Sequence, residues 1–265
     1  MPGPTQISPA QLARLIGTPD APAIIDVRIA EDFESHPYLI PTTLRVPHGQ
    51  AASLAGVLTG QRVVVVCQRG RKLSEGAAAL LRTEGIYAET LEGGTEAWVA
   101  ASLPMVPFAT LPATNLWVTR HRPKIDRIAC PWLIRRFIDP TARFLFVSPS
   151  EVAEVASRFD ATPFDIDGVY WSHRDDTCTF DTLIAEFKLS TPALERLATV
   201  VRGADTDRHD LAPQSAGLLA VSVGLSRMFK DDLQQLEVGM TLYDALYRWA
   251  RDGFDEGHDW PATRA

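Results

Sequence analysis

Apolar residues in the first hundred positions fall into short runs separated by helical patterns. Ser8-Pro9-Ala10-Gln11 reads as a helix start: Ser8 supplies a cap, Pro9 suits the first helical position, and Gln11 completes a capping box ahead of Leu12, Leu15 and Ile16. Ala23-Ile24-Ile25 follows as a short buried strand. Val63, Val64, Val65 and Val66 form a plainer strand, a β-branched run ending at Cys67. A polar turn then leads into a helix with Leu73, Ala77, Leu80 and Leu81 on one face. Gly85 is placed to stop that helix, and Ile86-Tyr87-Ala88 resumes a strand. Short strands alternating with helices predict an α/β fold with a parallel sheet flanked by helices.

Past Ala100 the periodicity lapses, and Pro104, Pro107 and Pro112 mark a semi-rigid connector over 104–114. Beyond it the signal is more helical. Arg143 to Val147 and Val169 to Trp171 predict strands, whereas Pro192 to Val201, Leu211 to Val223, and Leu242 to Trp249 predict helices. Ser148-Pro149-Ser150-Glu151 repeats the start grammar of Ser8 to Gln11. The expectation is two domains, 1–103 and 115–253, the second a mostly helical α+β unit, with a mobile tail over 254–265.

Composition narrows the function. At 265 residues and 46% hydrophobic the chain can bury a sizeable core. Its 26 Lys+Arg against 33 Asp+Glu give a net −7, which argues against coating nucleic acid or an anionic membrane. No apolar stretch approaches the ~20 residues that cross a bilayer, and MPGPTQIS lacks the basic and apolar regions of a secretion signal. A soluble, cytoplasmic protein is therefore expected. Nucleotide-binding and zincin motifs are absent from the sequence. Cys67, Cys130 and Cys178 are odd in number and far apart, which suits neither a disulfide framework nor a paired zinc site. A buried small hydrophobe is the ordinary reading of each.

Cys67 departs from that reading. It ends a buried strand just before a helix, where parallel sheets place their ligand sites. Backbone N–H groups of the intervening loop can converge there, and with the helix dipole they favour a thiolate and an anion beside it. Arg69, Arg71 and Lys72 add positive charge, and Gly70 allows a tight loop. The chemistry implied is a nucleophilic thiolate acting on an anionic substrate.

The segment Cys67-Gln68-Arg69-Gly70-Arg71-Lys72 resembles the six-residue active-site loop of the rhodanese family, with Gly fourth and a basic residue sixth. Asp26-Val27-Arg28 and Gly93-Gly94-Thr95-Glu96-Ala97-Trp98 match two further signatures of that family, in order. The resemblance implies a sulfurtransferase in which Cys67 takes sulfane sulfur from thiosulfate or a similar donor and passes it to a thiol, sulfide or cyanide acceptor. The backbone from Gln68 to Lys72 would cradle the persulfide, and no cofactor is required. Asp26 and Arg28 read as structural ties. Asp32 to Pro41 matches the family's usual stretch only loosely.

The second region has its own charged run. Arg120, Arg122, Lys124 and Arg127 suggest a positive surface for an oxyanion or acidic partner, or a solvated face. Cys130, before Pro131, reads as a helix start. Asp205 and His209 are four apart, so one helical face could present both, with His173 completing a site for a divalent metal such as Fe, Mn or Zn. The same residues also read as an ion-pair and capping network.

Arg122 to Phe137, Cys178-Thr179-Phe180, Arg202-Gly203-Ala204-Asp205 and Gln214 to Ala220 resemble the C-terminal domain of ChrB-type chromate-resistance proteins. This resemblance implies a place in chromate resistance or its sensing, and chromate or another oxyanion is a candidate ligand for the basic cluster. Three functions follow from the whole: a sulfurtransferase acting under chromate or oxidant stress, a redox or oxyanion sensor without turnover, and a transcription regulator. The last has least support, since no recognition helix accompanies a basic arm.

Overall fold

The computed structural model describes residues 5–257. The elements run β1 (Gln6–Ile7), α1 (Pro9–Leu15), β2 (Ala23–Asp26), α2 (Ala30–Ser35), β3 (Tyr38–Leu39), β4 (Thr43–Arg45), α3 (Ala55–Leu58), β5 (Arg62–Val66), α4 (Lys72–Thr83), β6 (Tyr87–Leu91) and α5 (Gly94–Ala100). They continue through β7 (Val106–Pro107), β8 (Leu116–Arg120), α6 (Asp126–Leu133), β9 (Arg143–Val147), α7 (Val152–Phe159), β10 (Thr162–Pro163), α8 (Thr179–Glu186), α9 (Pro192–Asp205), α10 (Gln214–Met228) and α11 (Asp232–Asp252).

The first five-stranded sheet has the order β1-β6-β5-β2-β4, all parallel. The valine strand β5 is central, so its side chains are buried on both faces, which is why it reads as a continuous β-branched run. Val64 and Val66 join a core with Leu12, Ile16 and Trp98, while Val63, Val65 and Cys67 pack on the other face with Ala77, Ala78 and Leu81 of α4. The capping box at α1 is formed: the Ser8 hydroxyl accepts from the Gln11 N–H at 3.3 Å, and Gln11 Oε1 accepts from the Ser8 N–H at 3.0 Å.

A second sheet, β10-β8-β9, is also parallel; Val118 packs against Val152 and Val155 of α7, while Trp117 and Phe144 join the cluster that holds Leu133, Phe180 and Leu194 of α6, α8 and α9. Several local expectations change here. Ser148 caps nothing: Pro149–Glu151 form a single 3₁₀ turn, and α7 starts at Val152. Val169 to Trp171 is not a strand but one bridge from Trp171 to Phe164. Cys130 and Pro131 lie inside α6 despite the proline standing past the first turn, with both residues buried in the core, and a π-type turn at Ile134–Ile138 continues the helix. The predicted helices are longer than their apolar cores: the one sought at Leu242 to Trp249 spans Asp232–Asp252.

The proline-bearing stretch is tied down. Val106–Pro107 pair with Tyr38–Leu39, and the Trp98 indole donates to the Pro104 carbonyl at 2.9 Å. The first core continues into the second region without a break: Leu12, Ile16 and Trp98 belong to the same cluster as Phe137, Leu194 and Tyr247. Thr42 N–H donates to the Phe137 carbonyl at 3.0 Å, and a Cβ on Gly17 would stand 2.4 Å from the Phe137 ring. An apolar cleft of about 310 Å³ opens along this seam, between Ala13, Ile16, Trp98 and Phe137, Tyr247. In the predicted tail, Phe254 packs at a tilt on Trp249 with the Arg196 guanidinium 4.2 Å from its ring; residues 258–265 lie outside the described part. Among the described residues no helix is long and apolar enough to cross a membrane.

Candidate functional site

Cys67 leaves β5 at its carboxyl end, and the loop Gln68 to Arg71 delivers the chain into α4 at Lys72. The Cys67 side chain lies at the base of this loop, only 4% exposed. Among the described residues the backbone N–H groups of Gln68, Arg69, Gly70 and Arg71 donate to no protein acceptor.

The loop is clamped from behind by the Gly-Gly-Thr-Glu segment. Thr95 N–H donates to the Cys67 carbonyl and Glu96 N–H to the Gln68 carbonyl, each at 3.0 Å. Gly70 and Gly94 both have positive φ, 63° and 61°, and a Cβ on Gly94 would stand 2.2 Å from the Cys67 carbonyl oxygen and 2.4 Å from Gly70 N. Two glycines separated in sequence by α4 and β6 thus meet backbone to backbone, which fixes the loop's curvature. Arg69 and Gln68 reach Glu96 at 3.2 and 3.3 Å, on the exposed side. Arg71 and Lys72 are exposed.

One residue was not singled out from the sequence. Ser74, fully buried in the first turn of α4, places its hydroxyl 3.2 Å from Cys67 Sγ while bonding the Arg71 carbonyl at 3.0 Å. The helical repeat from Lys72 could have shown that Ser74 faces the strand end. Asp26 and Arg28 form a buried tie: the guanidinium meets Asp26 at 2.6 Å and donates to the carbonyls of His36 and Tyr38 at 3.1 and 2.7 Å.

In the second region the structure brings His173 and Asp205 together and leaves His209 out. Helix α9 ends at Asp205, and Asp207 turns with φ 57°, so Asp205 and His209 never share a helical face. His209 instead neighbours Asp207 at 3.7 Å. Two carboxylates missed in the sequence replace it. His173 Nε2 lies 3.2 Å from Asp205, 3.3 Å from Asp165 and 3.5 Å from Asp126. Asp126 accepts the N–H groups of Thr179 and Phe180 at 2.6 and 3.2 Å, satisfying the start of α8. Asp165 accepts the Thr179 hydroxyl at 3.0 Å and meets Arg120 and Arg127 at 3.4 and 3.2 Å. Two members of the predicted basic surface are therefore directed at a buried carboxylate.

The electrostatics follow from this crowding. The Asp126 carboxyl is pushed well above the usual range, first by burial and then by Asp205 and Asp165. The His173 imidazole is pushed up to about 10 by its contacts with Asp165 and Asp205. Cys130 and Cys178 are fully buried, and burial followed by the nearby Asp126 pushes both thiols up, which makes them packing residues and not nucleophiles. Ile125, just before Asp126, has φ 36° and ψ −98°, a costly conformation for a β-branched residue; Tyr243 holds it by donating to its carbonyl at 2.9 Å.

Comparison with known proteins gives two matches along the chain. The family profile of the ChrB C-terminal domain fits residues 117–250, and that of the rhodanese-like domain fits residues 8–101. The curated Protein ChrB of Cupriavidus metallidurans is 39% identical over 133 residues, 49% of this chain and 39% of that protein; the match spans about two fifths of that relative's length. Among solved structures, a rhodanese-related protein from Thermoplasma volcanium is 22% identical over 38% of this chain and 96% of its own, with a TM-score of 0.33. A thiosulfate sulfurtransferase from Pseudomonas aeruginosa is 29% identical over 39% of this chain and 19% of its own, with a TM-score of 0.32.

Proposed function

The chain belongs to the ChrB C-terminal-domain family and carries a rhodanese-like domain ahead of it, and we propose that it is a sulfurtransferase working through a persulfide on Cys67 in a chromate-resistance setting. The observation that carries this reading is the run of unused N–H groups from Gln68 to Arg71 in the short loop between a thiol at the end of β5 and the start of α4. In the first half-reaction the Cys67 thiolate attacks the outer sulfur of thiosulfate. The S–S bond of the donor breaks, sulfite leaves with the electron pair, and Cys67 carries a persulfide anion facing the loop N–H groups. In the second, a thiolate, sulfide or cyanide attacks that outer sulfur, and the Cys67 thiolate departs. One sulfur atom moves and no outside oxidant is needed.

Mass spectrometry of the full chain after thiosulfate is expected to find one added sulfur on Cys67, and Cys67→Ser is expected to abolish both that adduct and thiocyanate formation while remaining folded. Full turnover in Cys67→Ser overturns the reading. A second reading, a sensor or binding protein without turnover, is favoured by the His173 cluster alone; steady-state turnover with thiosulfate separates the two. Cytoplasmic location belongs to the proposal as well.

A further inference from the structure

The cluster around His173 is assembled from parts that are distant in sequence: Asp126 opens α6, Asp165 follows β10, His173 precedes α8, and Asp205 closes α9. Asp126 and Asp165 are almost wholly buried, Asp205 is largely so, and the His173 side chain is 42% exposed.

The spacing within it is informative. Charge-assisted hydrogen bonds run at about 2.7–2.9 Å, and well-packed pairs elsewhere in this chain comply: Arg28–Asp26 at 2.6 Å, Arg136–Asp244 and Arg202–Asp181 at 2.8 Å. The three separations from His173 Nε2, 3.2 to 3.5 Å, are longer. They match the distance between neighbouring ligands of one ion: two donors each at about 2.1 Å, subtending a tetrahedral or octahedral angle, lie about 3.0–3.4 Å apart. One ligand atom from each of Asp126, His173 and Asp205 falls within 4.8 Å of the others. A single imidazole N–H can point at one oxygen, not three. Among the described residues Asp205 has no partner besides His173, so a carboxylate faces the cluster with its other lone pairs uncommitted.

We propose that Asp126, His173 and Asp205 bind one divalent transition-metal ion, with Asp165 beside it. An imidazole with carboxylates suits Mn²⁺, Fe²⁺ or Zn²⁺. On binding, His173 releases its Nε2 proton to solvent and ligates as the neutral imidazole, which puts the cation where the carboxylates now crowd one another and offsets their mutual repulsion. The exposed side of His173 leaves coordination positions for water or an oxyanion, and Arg120 and Arg127 stand beside Asp165 at that rim. Cys130 and Cys178 are not ligands: their thiols are held to Asp126 and Asp181, at 3.8 and 3.2 Å.

The test is calorimetric titration of the chelator-stripped full chain with Mn²⁺, Fe²⁺ under argon, and Zn²⁺, each alone. At least one ion is expected to bind at one per chain, weakened by more than about tenfold in both His173→Ala and Asp205→Asn. His209→Ala is expected to bind as wild type. Asp126 also caps α8, so its variants are not needed, and thermal melts of the two ligand variants show that they remain folded. No binding of any of the three ions, or binding unchanged in His173→Ala and Asp205→Asn, leaves an ion-pair network only and overturns the proposal. Sulfur loading on Cys67 is independent of this outcome.

Discussion

Ser74→Ala is the most direct probe of the thiol site. The Ser74 hydroxyl has one hydrogen and two neighbours, the Arg71 carbonyl at 3.0 Å and Cys67 Sγ at 3.2 Å. With a thiol at Cys67, the hydroxyl donates to Arg71 and accepts from S–H. When the thiolate forms, or is released as sulfur leaves, the hydroxyl can turn its hydrogen to Sγ. Ser74 is fully buried, so no water replaces it. A hydrogen bond to a charged group contributes about 1.5–3 kcal/mol, which is about tenfold to hundredfold in rate. A hydrogen-bonded thiolate is more populated but less nucleophilic, which cancels about half of that energy, so Ser74→Ala should slow both persulfide loading from thiosulfate and alkylation of Cys67 by iodoacetamide by about threefold to tenfold, measured in single-turnover mass spectrometry at neutral pH. Its thermal midpoint should change little, since only one oxygen is lost from a small site. Wild-type rates in a folded Ser74→Ala would refute the role assigned to the hydroxyl.

Two further substitutions test the frame around the loop. Gly94→Ala places a methyl 2.2 Å from the Cys67 carbonyl at a φ of 61°, and should cost more than about 2 kcal/mol in urea unfolding and displace the loop, with loss of sulfur transfer; wild-type stability and turnover would show that the clamp is dispensable. Arg28→Ala leaves the buried Asp26 carboxylate without its cation, a loss of about 3–5 kcal/mol in the same assay; a change below about 1 kcal/mol would mean that the His36 and Tyr38 carbonyls are held some other way.

What the sequence disclosed was governed by how local each feature is. The Ser8 box, the valine strand and the Cys67 loop each sit within a few residues, so pattern and backbone chemistry suffice. The His173 cluster depends on Asp126 and Asp205, 79 positions apart by their numbers, and no periodicity links a residue opening one helix to one closing another. The pairing of Asp205 with His209 assumed that α9 runs on past its actual end. The positive surface at Arg120 to Arg127 looked free because Asp165, which takes two of its guanidinia, lies on a separate strand end. Pro131 misled for another reason: it sits sixth in α6, past the turn where proline is ordinarily tolerated, so surrounding packing overrides the local bias and Cys130 before it is helical.

The seam at Gly17, Thr42 and Phe137 bears on how the two regions come apart. A layer formed by α1 and α5 has the sheet behind it and Phe137 and Tyr247 in front of it, within one apolar cluster. The rhodanese-like half is therefore not cargo on a tether that could be swapped or discarded without consequence. Phe137, far along the chain from Cys67, shares its cluster with Val64 and Val66 of the strand that ends at that thiol, so the two halves are expected to melt in one transition.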